Sequence, residues 1–138
     1  TRNCAIIHPL HLELETALRY LAGILNSPLL TYFLKETGTA LRGGYFRMKT
    51  AYLNPFPIRP INFSDKSDKA KHDKMVALVE QMLDLHERLA TVKAPDDKIK
   101  LQRQIDATDC EIDHLVYELY GLTEDEIRIV EEGAGAKN

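Results

Sequence analysis

Two runs of apolar residues, joined by a link of about five residues, constrain this chain more than any other feature. Met75, Leu78, Met82, Leu85, Leu89 and Val92 step by 3, 4, 3, 4 and 3 residues. Leu101, Ile105, Thr108, Ile112, Leu115 and Leu119 step by 4, 3, 4, 3 and 4. That spacing is the seam of a heptad repeat, in which one apolar stripe of each helix faces a partner. Within the link, Lys93 to Asp97, Pro95 suits a first helical position, where its missing N–H costs nothing. Asp96 and Asp97 suit the positive end of the helix dipole. So short a link leaves the second helix little choice but to fold back, which predicts an antiparallel coiled-coil hairpin. Each arm of about 23 residues would reach about 35 Å, a length suited to a spacer or docking arm. Flanking positions such as Val79, Val116 and Tyr117 are expected to leave apolar surface open to another domain or subunit.

The segment before the hairpin reads differently. Ala5-Ile6-Ile7 is a short β-prone run punctuated by Pro9. Leu14, Leu18, Leu21 and Leu25 then mark one face of a helix over about residues 13–25. Ser27 is a candidate cap and Pro28 a first helical residue for a second short helix, 29–36, ending near Gly38. Tyr45-Phe46-Arg47-Met48 alternates as a short strand would. Pro55, Pro57 and Pro60 exclude helix and central strand over 54–61, leaving an extended edge or loop. After the hairpin, Gly121 is placed to end a helix, and Thr123 with Glu126 predicts a capping box for a short final helix carrying Ile127 and Val130. The fold class expected is α+β, predominantly α. A small partial β region with two short helices precedes the long hairpin and a short C-terminal helix. Domain boundaries follow as 1–63, 64–132 and a flexible tail, 133–138.

Charge is unevenly distributed. The chain is acidic, with a formal net charge of -3. Yet residues 39–61 hold Arg42, Arg47, Lys49 and Arg59 and no acid, whereas 96–132 hold 12 acids against four bases. On an extended segment Arg47 and Lys49, two apart, project to one side, and Tyr45 shares that side. Arginine suits bidentate contact with guanine and lysine suits phosphate, so this ribbon is the candidate contact with nucleic acid.

Other chemistries find little support. No glycine-rich phosphate loop occurs, and Gly43-Gly44 is too short to serve as one. His8, His11, His72, His86 and His114 are scattered, which favours surface or packing roles over metal binding. Asp106, Asp109 and Asp113 line one helical face without a third ligand or base and read as a solvated stripe. Asn54-Pro55-Phe56 invites comparison with the Asn-Pro-Pro-aromatic loop of amino-methyltransferases. It lacks the second consecutive proline, so a proline-rich exit from a sheet is the better reading. Cys4 and Cys110 lie far apart and match no metal spacing, which together with the lack of a signal-peptide layout or a long apolar run predicts a reduced, cytoplasmic setting. The abrupt start on TRNCAIIHP reads as a fragment of something longer.

YLAGILNS (20–27), LRGGYFRMKTAYLNPFPI (41–58) and IDATDCEIDHLVYELYGLTEDEI (105–127), in this order, resemble the TaqI-like C-terminal specificity domain of type IIG restriction–modification enzymes. Those enzymes fuse an adenine-N6 methyltransferase and an endonuclease on one chain. Type I specificity subunits share the plan more loosely. The resemblance implies a target recognition domain that reads a short duplex DNA sequence. Carried over by position, Arg42, Gly43, Gly44, Tyr45, Arg47 and Lys49 fall on the family's DNA-facing segment. It further implies no catalytic site and no cofactor in this fragment, with S-adenosylmethionine and Mg²⁺ belonging to a parent enzyme. Expected partners are double-stranded DNA and the methyltransferase and nuclease portion of that parent, with no membrane. The alternative is an interaction module without DNA contact, dimerising through the hairpin.

Overall fold

The computed structural model describes the backbone of residues 4–38 and 50–135, and the side chains of 13–38 and 50–135. These residues form six helices: α1 (Cys4–Leu25), α2 (Pro28–Thr37), α3 (Thr50–Leu53), α4 (Lys66–Thr91), α5 (Pro95–Leu119) and α6 (Glu124–Ala134). Among the described residues there is no strand. The expected β character of Ala5-Ile6-Ile7 is therefore corrected: these residues lie in α1. Pro9 falls in the helix's second turn, where it removes a single hydrogen bond, and the Leu-, Ala- and Glu-rich sequence behind it favours helix strongly enough to extend through it. The alternating stretch 45–48 lies outside the described residues.

The hairpin is present and antiparallel. Lys71 lies 3.5 Å from Glu118, and Gln81 Nε2 donates to Thr108 Oγ1 at 3.2 Å, so one helix advances as the other retreats. All six seam residues of α5 are buried, as are Met75, Leu78 and Leu85 of α4. Met82, Leu89 and Val92 are partly buried. Pro95 occupies the first turn of α5 with Asp96 and Asp97 beside it. At the far end Gly121 takes φ +64°, Leu122 N–H bonds Tyr117 O (3.0 Å) and Gly121 N–H bonds Glu118 O (3.2 Å). These paired bonds close the helix in a Schellman turn, which a left-handed glycine makes possible.

Helices α1, α2 and α6 cover the flanks that the sequence left open. Val79, Val116 and Tyr117 are all buried. They were expected to be exposed because a bare hairpin has no other layer to meet them. Here Val79 and Val116 share one core with Tyr20 and Ile24 of α1 and Leu30 and Leu34 of α2. On α1 the buried face is Tyr20 and Ile24, while Leu14, Leu18 and Leu25 remain 59%, 56% and 38% exposed. At 3.6 residues per turn the leucine stripe lies about 120° round the helix from that face. Gly23 lets α1 approach α4, since a Cβ there would overlap the Met75 sulfur.

Two local features differ in detail. Ser27 stands at the N-cap of α2, but its hydroxyl donates back to Ile24 O (2.6 Å) rather than accepting from the new helix. Helix α6 begins with the expected box, in which Glu126 Oε2 accepts from Thr123 N–H at 2.7 Å. It continues through Gly133 and Ala134, two residues into the segment expected to be a tail.

Candidate functional site

Arg42, Gly43, Gly44, Tyr45, Arg47 and Lys49, the residues predicted to face DNA, all lie outside the described residues. What the fold shows is how the chain is held on either side of them. Before them, Gly38 caps α2, its N–H bonding Leu34 O at 2.7 Å. After them, α3 packs against α2, so both ends of the segment are tied to one place. The proline-rich strap that follows, residues 54–61, is neither helix nor strand, as the prolines dictate.

The strap is gripped by a clasp centred on Arg59. Arg59 Nη1 and Nη2 donate to Asp68 Oδ2 (2.7 Å) and Oδ1 (3.0 Å), a fork-on-fork pair with the first turn of α4. Arg59 Nε donates to Leu119 O at the end of α5 (3.1 Å), one of the carbonyls a helix leaves without an internal partner. The strap's backbone is satisfied in the same place. Tyr20 OH donates to Arg59 O (2.7 Å), Tyr120 OH donates to Pro57 O (2.7 Å), and Arg59 N–H donates to Tyr120 OH (3.1 Å). Asp68 also accepts from Asn62 N–H at 3.0 Å. Three helices thus close on one arginine.

Electrostatics follow from this geometry. The Arg59 guanidinium, then the Asn62 N–H, hold the Asp68 carboxyl below the usual carboxylate range. Burial pushes the Tyr20 hydroxyl up to about 12 and raises that of Tyr120, so both stay protonated donors near neutrality. Arg59 was counted among the four cations of the basic stretch, but its charge is committed within the fold. Sequence reasoning missed this because Asp68, Tyr20 and Tyr120 carry no local mark of their role. The usable signal was an arginine set between Pro57 and Pro60, where packing fixes the backbone.

Phe56 of the Asn-Pro-Phe motif is buried, edge-on to Phe33 (5.2 Å between centroids) and tilted against Tyr120 (5.9 Å). A ring enclosed in this way offers no face to a flipped base, so the motif is structural. His72 likewise packs between Tyr20 (5.4 Å) and Phe63 (5.0 Å). Among the described residues no group of three or more His, Cys, Asp or Glu is placed to hold a metal ion. Cys110 is exposed and free. No helix among the described residues is long and apolar enough to cross a membrane.

The described residues thus define a small helical scaffold that grips a proline-rich strap at the exit of a basic segment. Over 116 residues, 82% of its length, the chain is 30% identical to the type II restriction enzyme and methyltransferase RM.Eco57I of Escherichia coli. It spans 11% of that protein's length. The chain is therefore similar to a small segment of a restriction–modification protein. No family model matches it, and no solved structure matches it.

Proposed function

We propose that this chain is a DNA target-recognition segment of a type IIG restriction–modification enzyme, akin to the TaqI-like specificity domains. The observation that carries this reading is the 30% identity to a restriction enzyme and methyltransferase across most of the chain. Arg42, Gly43, Gly44, Tyr45, Arg47 and Lys49 face duplex DNA, with lysine set for phosphate and the arginines for base edges or phosphate. The Arg59 clasp holds the exit of that segment, and the acidic α5 and α6 keep away from the phosphate backbone. Methylation and cleavage, with the S-adenosylmethionine and Mg²⁺ they require, belong to other parts of a longer enzyme in the cytoplasm. Those parts and double-stranded DNA are the partners of this segment.

The test is duplex binding by the 138-residue chain. Three phosphate-contacting cations would give weak binding whose affinity falls with salt at a log–log slope of about −2.7. Arg42→Ala with Arg47→Ala should lower that slope by about two-thirds and weaken binding, while the circular dichroism spectrum stays unchanged. Wild-type binding and slope in the double variant would refute the assignment of these residues.

A further inference from the structure

The far end of the hairpin, where α4 hands over to α5, differs in charge from the rest of it. Residues 88–104 carry five cations, Arg88, Lys93, Lys98, Lys100 and Arg103, against two acids, Asp96 and Asp97. Adding Asp84 and Glu87, one turn back along α4, leaves five against four. Residues 105–132 carry ten acids against Arg128 alone. The acidic stretch of α5 therefore begins at Asp106, and an otherwise acidic hairpin ends in a positive tip. Among the described residues Lys93, Lys98 and Arg103 form no ion pair. The Arg59 clasp joins α4 to α5 at their opposite end, about 35 Å away at 1.5 Å per residue, so the tip is separate from the strap.

The fold brings two of these cations to one hollow. Arg88 near the end of α4 and Lys100 on α5 line a space of about 510 Å³, with Gln104 beside them and Val92 and Leu101 as its apolar part. Asp97 is its one acid among the described residues. Arg88 Nη1 stands 3.6 Å from Asp84 Oδ2, and Lys100 Nζ stands 3.6 Å from Asp97 Oδ1. All four side chains are more than half exposed, and pairs so long and so solvated contribute little. A phosphate can therefore replace either carboxylate at small cost. Arginine offers it forked N–H donors and lysine a point charge. We propose that the hairpin tip is a second contact with duplex DNA, in which Arg88 and Lys100 meet neighbouring backbone phosphates. The inference rests on the reading of this chain as a DNA target-recognition segment. Such a contact carries no sequence information; it fixes the orientation of the hairpin on the duplex.

Duplex binding by the 138-residue chain, followed across salt concentrations by fluorescence anisotropy, tests this. Two added phosphate contacts should steepen the log–log slope by about 1.8 beyond what the basic segment supplies. Arg88→Ala with Lys100→Ala should remove that increment and, because both side chains are exposed, keep the folded circular dichroism spectrum. Lys74→Ala with Arg128→Ala, an equal loss of charge away from the tip, should keep the full slope. Equal effects of the two pairs, or none from the tip pair, would overturn the tip contact. So would poly-glutamate binding that depends on the tip and matches duplex at equal charge, since the site would then suit an acidic protein. Binding weakened by Arg42→Ala with Arg47→Ala but kept in the tip pair removes the tip and leaves the basic segment standing. The reverse result removes the segment and upholds the tip, and no duplex binding at low salt overturns both.

Discussion

The α4–α5 hairpin and α1 are both long helical elements with leucines at three- and four-residue steps, yet those leucines end on opposite sides of the core boundary. In the hairpin each helix has its partner next to it in the chain, and the heptad stripe is buried between them. Helix α1 meets the same core with Tyr20, Gly23 and Ile24, and turns Leu14, Leu18 and Leu25 to solvent. Its partner lies some fifty residues away, and its surface is apolar on more than one side. Which side is buried is then set by shape: a glycine that admits Met75, and a tyrosine whose hydroxyl must reach the strap. Periodicity identifies a helix; it selects the buried face only when a single face is apolar.

Substitutions on the two faces of α1 should break this contrast most clearly. Ile24→Ala, at a fully buried position, should cost about 2–5 kcal/mol in thermal or denaturant unfolding. Gly23→Val should cost about 1–3 kcal/mol by driving Cβ into Met75. Combined with Met75→Ala, itself a costly core truncation, it should cost less than the sum of the two single changes. On the far side of the core, Thr123→Ala removes the α6 cap and should cost about 1 kcal/mol. Leu18→Ala should stay within about 0.5 kcal/mol, because its side chain meets water in the isolated chain.

The clasp adds a dependence on acid that the hairpin seam lacks. Asp68 has its folded pKa lowered, so its contribution is present above the ordinary carboxylate range and is lost as pH falls through the folded value. Unfolding midpoints measured from pH 7 down to pH 3 should fall on the acid side, and Asp68→Asn should flatten that limb while lowering the plateau. An unchanged acid limb in the variant would mean that Arg59 is held by other contacts.

Legibility in the sequence divides along the same line. The hairpin, its turn at Pro95, the Gly121 stop and the Thr123–Glu126 box are all local: pattern and partner lie within a few residues or one short link. The irregular course of 54–61, neither helix nor strand, was legible too, because proline forbids the alternatives. The helix at 5–7 was not, since a short Ile-rich run fits strand or helix until its neighbours decide. The clasp was invisible for a different reason. It joins the Arg59–Asp68 pair to Tyr20 and Tyr120, positions far away in the chain, through hydrogen bonds that leave no periodic trace. The predicted DNA-facing residues lie outside the described structure, so their reading rests on charge and on likeness.

Joining residues 20 and 120 also has a kinetic consequence. The hairpin closes a short loop and zips through neighbouring contacts, which is entropically cheap and fast. The Arg59 junction requires α1, the strap and the neighbouring ends of α4 and α5 to be in place before its hydrogen bonds can form together. Assembly should thus run from the hairpin outward and finish at the arginine. Weakening that last joint should hasten the escape of the native state while leaving the rate of its formation almost untouched.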